Sequence, residues 1–402
     1  MRVTYYYPWG FFHPVRSGAA TVAARHMEYF RSRGMRVRVL LWADDRPRER
    51  RAFEHHYPWL EELCVLNFRR YPSIQGLFER YTFLDYLAGY TAIAELAECR
   101  SFLQQPTDVA FFNYVFSSPF LDLLPRGAKR VLEAIDIMST QFQPKRESPA
   151  LFAQNLRLEF DLYDLFDVAL LLNRDEASLA GARSSAPLRY VPQGVETASP
   201  DRPLEDAEDD LYDLLFIGCP HPPNIEGVNW FYEHVFRPRL KRHGLRWAIA
   251  GSVCESLALA DPAVDLLGRV DDLDALYRKS KIVIVPLFQG AGVSIKTLEA
   301  LGHGKPVVST PVGMRGLHDS RDCVIELRFE EEPEKVARCI RDLCASSGLR
   351  ESYGRKAMEY IQTHFSRESY ARRMDELLAV LMDASTGSLP FPTEVKPFEA
   401  VA

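Results

Sequence analysis

Apolar residues fall along the chain in two alternating textures. Short aliphatic or β-branched runs, each bounded by Gly, Pro or polar clusters, read as buried parallel strands. In the first half they cover 3–7, 36–42, 109–113, 130–134, 168–172 and 188–192; in the second, 214–218, 246–251, 264–267, 282–285, 306–310 and 323–326. Longer segments with helical spacing lie between them, at 19–33, 150–165, up to Ala180, 225–243, 271–280, from about Val293 to Gly302, 331–365 and 366–382. Strand and helix alternating in both halves predict an α/β protein with two parallel sheets. Residues 45–105 are rich in aromatics and Arg and read as mainly helical after Phe78. The acidic, Pro-containing stretch ETASPDRPLEDAEDD, 196–210, reads as a linker. The expected division is therefore 1–195, 196–365, a last helix at 366–384 with Ser366 as its cap, and a loosely ordered tail at 385–402.

Composition narrows the class. The chain has 402 residues, 47% hydrophobic and 26% charged, which is ordinary for globular domains. A net charge of −6 gives no broad basic surface, so nucleic acid is not an expected partner. Seven Cys are scattered without metal-ligand or framework spacing, which points to free thiols in a reducing cytosol. The opening MRVTYYYPWG holds no apolar core of signal-peptide length. No run approaches the ~20 apolar residues of a bilayer span. Basic clusters at Arg46–Arg51 and Arg69–Arg70 leave two readings open, a solvated surface or peripheral contact with anionic lipid at the inner face of a membrane.

The candidate chemistry concentrates in KIVIVPLFQGAGVSIKTLEALGHGKPVVSTPVGMRGL, residues 281–317. It reads as strand, glycine-rich turn, helix, strand, turn. Gly290 and Gly292 permit a tight turn and close ligand approach. A helix starting near Val293 leaves free N–H groups and a partial positive charge facing that turn, which favours an anion, typically a phosphate. Lys296 and Glu299 share one helix face. In open α/β sheets, ligands bind at this carboxyl end of the strands.

This stretch resembles the donor-site signature of retaining nucleotide-sugar glycosyltransferases of family 4 (glycosyl transferases group 1), in the run Ser294–Ile–Lys–Thr–Leu–Glu299–Ala–Leu followed by Gly-Lys-Pro-Val-Val. The resemblance implies the GT-B fold: two facing Rossmann-like domains with a cleft between them, and a last helix crossing back to the first domain. It implies that Glu299 holds the ribose hydroxyls, that the backbone amides around Gly292, Val293 and Ser294 hold the diphosphate, and that Gly290 and Ala291 belong to the same nucleotide-binding turn. It places the loop around Val270 against the base. Ser17 and Gly18 match the glycine-containing loop after the first strand, and Pro192–Gln–Gly–Val–Glu196 matches the turn that leaves the first domain. His221 and Asn224, in the turn after the second domain's first strand, and Arg315, after the PVVST strand, are expected on cleft loops.

Two positions depart from the family pattern. Ala291 stands where many members have a second Glu, so that acid's contact with the donor sugar does not carry over. In RVLEAIDIMSTQ, Glu133 and Asp136 match the acids of an Asp-x-His-Asp strand end, but Ile135 occupies the His position and has no hydrogen-bonding group. Asp136 either contacts a hydroxyl or acts as a base, or it caps the following turn. Lys296 is expected to stabilise charge on the leaving diphosphate, so no metal and no cofactor is called for; the nucleotide-diphosphate sugar is the substrate. The acceptor is left open among a glycan, a lipid-linked and a small molecule. Surface-polysaccharide synthesis is the family-level expectation. An inactive donor-binding subunit that supports a partner transferase is the competing reading.

Overall fold

The computed structural model describes residues 1–15, 17–146, 148–195, 211–320 and 322–383, with 143–146 described by backbone only. The linker at 196–210 and the tail at 385–402 lie outside the described residues. The apolar runs form strands because both of their faces are covered. In the second half, Leu215, Val283, Val285 and Val307 enter one core, while their neighbours Leu214, Phe216, Ile282, Ile284 and Val308 enter another on the opposite face. A period of two that is apolar on both faces is the mark of a doubly covered parallel sheet.

The first unit carries β1 (Arg2–Tyr7), β2 (Arg36–Ala43), β3 (Glu62–Asn67), β4 (Val109–Asn113), β5 (Lys129–Glu133), β6 (Val168–Leu171) and β7 (Leu188–Tyr190). All pair in parallel, in the order β3-β2-β1-β4-β5-β6-β7. The second unit carries β8 (Tyr212–Ile217), β9 (Trp247–Ala250), β10 (Val264–Gly268), β11 (Ser280–Val285), β12 (Val307–Ser309) and β13 (Val324–Glu326), in the order β10-β9-β8-β11-β12-β13, also parallel. Met1–Pro192 form the first unit together with the chain from Ala371, and Gln193–Tyr370 form the second. Within the second unit the entering and leaving segments pair, Val195 N–H donating to the Phe365 carbonyl at 2.9 Å. Within the first, Asp375 of the last helix accepts from Tyr29 at 2.8 Å and from Arg33 at 2.7 Å.

Three local expectations change. Residues 62–67 form an edge strand, which the reading of 45–105 lacks; its mixed, half-buried sequence ELCVLN gives no clean alternation. A further helix, Ser139–Arg146, follows β5. The helix expected over 225–243 begins earlier, at Pro222, and widens into a π-helix over Tyr232–Leu240. Pro238 lies in that wide stretch, where its missing N–H breaks the regular ladder.

Candidate functional site

In the second sheet the strand order reverses between β8 and β11, and ligands of such sheets bind outside the carboxyl ends at that point. The loop from Gly218 to His221, with the first turn of the helix that follows it, meets the loop from Pro286 to Ser294 there. The helix Pro222–Phe231 approaches the second loop backbone to backbone. A Cβ on Gly227 would lie 2.0 Å from the Pro286 carbonyl oxygen, so no larger residue fits.

The Gly290–Ser294 turn needs its glycines. Gly290 has φ +145° and Gly292 has φ +66°, values that side-chain-bearing residues rarely adopt. Arg315 clamps the turn, with Nη2 donating to the Ala291 carbonyl and Nη1 to the Val312 carbonyl, both at 2.6 Å. Arg315 is thus a half-buried part of the turn. Ser294 is the N-cap of the Ile295–Gly302 helix, yet its side chain makes no capping bond. Its hydroxyl is engaged by Thr297 at 2.8 Å, and Thr297 also reaches the Gly313 carbonyl at 2.8 Å. The positive end of the helix is therefore presented to the turn without a side-chain cap.

Lys296 turns back toward the first turn of the helix Pro222–Phe231. Its Nζ donates to Asn224 Oδ1 at 2.9 Å, and Asn224 Nδ2 donates to the Cys219 carbonyl at 2.9 Å. The ammonium lies 5.6 Å from the centre of the Phe216 ring. Burial lowers the Lys296 pKa to about 8; Cys219 and the Glu299 carboxylate pull it upward, and the nearby Arg315 cation lowers it further. Glu299 sits half-buried one turn on, and its backbone carbonyl accepts from the His303 ring at 2.7 Å. Val270, Val293 and Ile295 pack against the same core face. His221, by contrast, is exposed, and at the N-cap of its helix it makes no side-chain capping bond. The second unit thus brings Asn224, Lys296, Glu299, Arg315 and the Gly290–Ser294 backbone to one place. Two cations beside an uncapped helix end can hold a compact anion, with a carboxylate one turn away to accept from hydroxyl groups.

Asp136, Ser17 and Gly18 belong to the first unit. Asp136 is half-buried just beyond β5 and accepts from Gln141 Nε2 at 3.1 Å. The residue before it, Ile135, has φ +55°, and Tyr114, just beyond the adjacent β4, has φ +63°. A left-handed β-branched residue is a strained one, and such strain of ~1–3 kcal/mol gathers at functional sites. The segment after Asp136 is fixed by Glu159, whose carboxylate accepts from Met138 N and Ser139 N, both at 2.7 Å, and from the Ser139 hydroxyl at 2.6 Å. Burial pushes Glu159 up to about 7 despite those bonds. Ser17 caps the Gly18–Ser32 helix, its hydroxyl accepting from Ala20 N at 3.2 Å.

Several features escape the sequence reading. Glu133 is buried, paired with His26, and accepts from Asn113 at 2.6 Å. That pairing joins β4, β5 and the first helix, and no local spacing announces it. The turn's clamp by Arg315 and the partnership of Lys296 with Asn224 are equally non-local. A pocket of about 560 Å³ also opens in the first unit, beyond the carboxyl ends of β1 and β2. Among the described residues, no cluster of three His, Cys, Asp or Glu side chains is placed to hold a metal ion, and no helix is long and apolar enough to cross a membrane.

Comparison with known proteins fits this geometry. Residues 212–346 match the family model for glycosyl transferases group 1, so the second unit carries the matched domain. The chain is 28% identical over 171 residues to an uncharacterised 44.6 kDa protein of the cps region of Klebsiella pneumoniae. That match spans 39% of this chain and 42% of the relative, less than half of either. Among solved structures, a sucrose-phosphate synthase from Thermosynechococcus elongatus is similar, with a TM-score of 0.67 at 14% identity, covering 96% of this chain and 100% of that one. Anabaena HepE in complex with UDP and glucose gives 0.62 at 14% identity, covering 94% and 99%. The architecture is that of two Rossmann-like α/β domains of the GT-B class.

Proposed function

We propose that this chain is a glycosyltransferase that takes a nucleotide-diphosphate sugar as donor and passes the sugar to an acceptor. The observation that carries the reading is the Gly290–Ser294 turn, clamped by Arg315 and continued by a helix that presents Lys296 and Glu299 beside Asn224. Such a site suits a nucleoside diphosphate. The uncapped helix end and Lys296 face the phosphates, and Glu299 accepts from the ribose hydroxyls. Val270, on the loop after β10, is assigned to the base. HepE, whose similar structure holds UDP and glucose, supports this assignment.

Chemistry follows from where charge develops. When the bond between the sugar and the diphosphate breaks, negative charge grows on the leaving oxygen. Backbone N–H groups at a helix start and the Lys296 ammonium stabilise that charge more strongly than the ground state, which is what accelerates the step. Residues of this chain thereby perform the role that a divalent ion has in other transferases. Retention of configuration, and Asp136 as the group that contacts a sugar hydroxyl, are part of the same proposal. A place in surface-polysaccharide synthesis, for which the cps-region relative is the support, and peripheral contact with the inner face of a membrane belong to the same proposal.

The test is release of nucleoside diphosphate by the purified protein across UDP-, GDP- and TDP-sugars. Turnover of one donor, lowered about 10- to 150-fold at sub-saturating donor in Glu299→Ala, is the expected result. One observation favours a second reading, a donor-binding subunit that supports a partner transferase. Ile135 puts a strained, non-polar side chain beside Asp136, at the position the family usually gives to His. Tight binding of a nucleotide sugar with no turnover, restored by a second protein, would select it.

A further inference from the structure

Ser is among the best residues for closing a helix end, yet Ser294 stands at the N-cap of the Ile295–Gly302 helix without doing so. A proton count explains why. Ser294 and Thr297 are both buried. Thr297 Oγ1 lies 2.8 Å from Ser294 Oγ and 2.8 Å from the Gly313 carbonyl oxygen, but it has one proton to give. A carbonyl only accepts, and among the described residues no other hydrogen bond reaches the Gly313 carbonyl. The Thr297 proton therefore goes to Gly313, and the Ser294 hydroxyl donates its own to Thr297. The opposite order would leave a buried carbonyl unpaired.

The far end of this relay is fixed. Gly313 N–H donates to Thr310 Oγ1 at 3.2 Å, and the Thr310 hydroxyl donates to the Leu287 carbonyl. A Cβ on Gly313 would stand 2.2 Å from Ser309 Oγ and 3.0 Å from the Val285 carbonyl oxygen, so the Gly313 turn lies close against the ends of β11 and β12. What the relay leaves open is the helix end. The Ser294 carbonyl accepts from Thr297 N at 3.0 Å and from Leu298 N at 3.2 Å. The amides of Ile295 and Lys296 have no acceptor among the described residues. A Ser294 hydroxyl released from Thr297 would turn onto the first amides of the helix and compete with any anion for them.

We infer that Thr297 is a positioning residue of the donor site: by accepting from Ser294 while donating to Gly313, it holds the Ser294 hydroxyl off the helix end and keeps that end open to the diphosphate. The diphosphate rests on the proposed transferase function; the effect of the relay on the helix amides does not. Two readouts on the full-length protein test it. Calorimetry with UDP, GDP and TDP gives affinity, and hydrogen–deuterium exchange without ligand gives protection of the Ile295, Lys296 and Thr297 amides. Thr297→Val keeps the side chain's shape and removes its hydroxyl. It should bind the preferred nucleoside diphosphate about 2- to 30-fold more weakly, the range a Ser cap commands, while exchange over these three amides slows. Thr297→Ser, which keeps the relay, should match wild type in both readouts. The sharpest comparison uses protein that already carries Ser294→Ala. No hydroxyl is left there to close the helix end, so adding Thr297→Val should change affinity by less than about twofold and leave exchange as it was. Thr297→Ala, measured in the same two backgrounds, takes the place of Thr297→Val if that variant does not fold. A merely structural Thr297 would weaken binding equally in both backgrounds, and that result overturns the inference. Unslowed exchange in Thr297→Val overturns it too, as does a loss of affinity in Ser294→Ala as large as that in Thr297→Val. If wild type binds none of the three nucleotides, the transferase reading falls, and exchange alone decides on the relay.

Discussion

Replacing Lys296 by Met removes one ammonium and keeps most of the side chain's apolar stem. The fall in pKa from 10.5 to about 8 means that burial disfavours the charged form by ~3 kcal/mol in the empty protein. Losing that charge relieves the fold. Losing the donor leaves Asn224 Oδ1 without its 2.9 Å partner, a cost of ~1 kcal/mol. The variant should therefore melt no lower than wild type at neutral pH. The sign of the pH dependence follows. Because the folded pKa lies below the unfolded one, the penalty is present below about 8 and is relieved as pH rises from there toward 10.5. Binding behaves in the opposite sense. A diphosphate beside Lys296 favours the ammonium, so wild-type affinity for UDP should fall above pH 8 by up to about tenfold per pH unit, with proton uptake on binding. Lys296→Met should bind about 10- to 150-fold more weakly at pH 7, from the loss of a charge-assisted hydrogen bond worth ~1.5–3 kcal/mol. It should also lose the proton uptake. Calorimetry in buffers of different ionisation heat reads both quantities. Affinity within about twofold of wild type, with the same proton uptake, would refute the placement of Lys296 at the phosphates.

Other perturbations probe the supporting structure. Glu299→Ala should weaken nucleoside diphosphate by ~1.5–3 kcal/mol without lowering the melting temperature, checked by titration with UDP, GDP and TDP. Gly227→Ala should destabilise the second unit by ~1–3 kcal/mol or more in denaturant titration, because its Cβ would meet the Pro286 carbonyl at 2.0 Å. Glu159, raised from 4.5 to about 7 in the fold, makes the folded state hold its proton longer, so stability should decline as pH rises from 4.5 through 7. Glu159→Gln should flatten that decline in chemical unfolding measured across the same range.

How much of this is legible in the sequence depends on the range of the interaction. β4 matches its apolar run at both ends, and β11 at its carboxyl end, because a strand covered on both faces writes itself as consecutive β-branched and aromatic residues. The Gly290–Ser294 turn is legible for the same local reason: two glycines, a strand before and a helix after. What Lys296 touches is not legible, since Asn224 lies 72 residues away in sequence. Arg315 reads as a cation on a cleft loop, and its clamp on Ala291 exists only once β11 and β12 stand side by side. β3 hides for a further reason: as an edge strand, it has a half-buried face that tolerates Glu62 and Cys64. The pocket of the first unit, before Trp9, is lined from the loop after β1, from β2 and from the helix Pro72–Glu79, which no single window of sequence spans.

The central claim is transfer from a nucleotide-diphosphate sugar, and proton NMR of the reaction mixture tests it most directly. Purified protein is incubated with a UDP-, GDP- or TDP-sugar and a neutral methyl glycoside, and the anomeric signals are followed over time. The account predicts loss of the donor's anomeric doublet, appearance of free nucleoside diphosphate, and a new glycosidic anomeric signal with the donor's configuration, all slowed in Lys296→Met. Persistence of every donor unchanged, in a protein that binds none of the three nucleoside diphosphates, would contradict it.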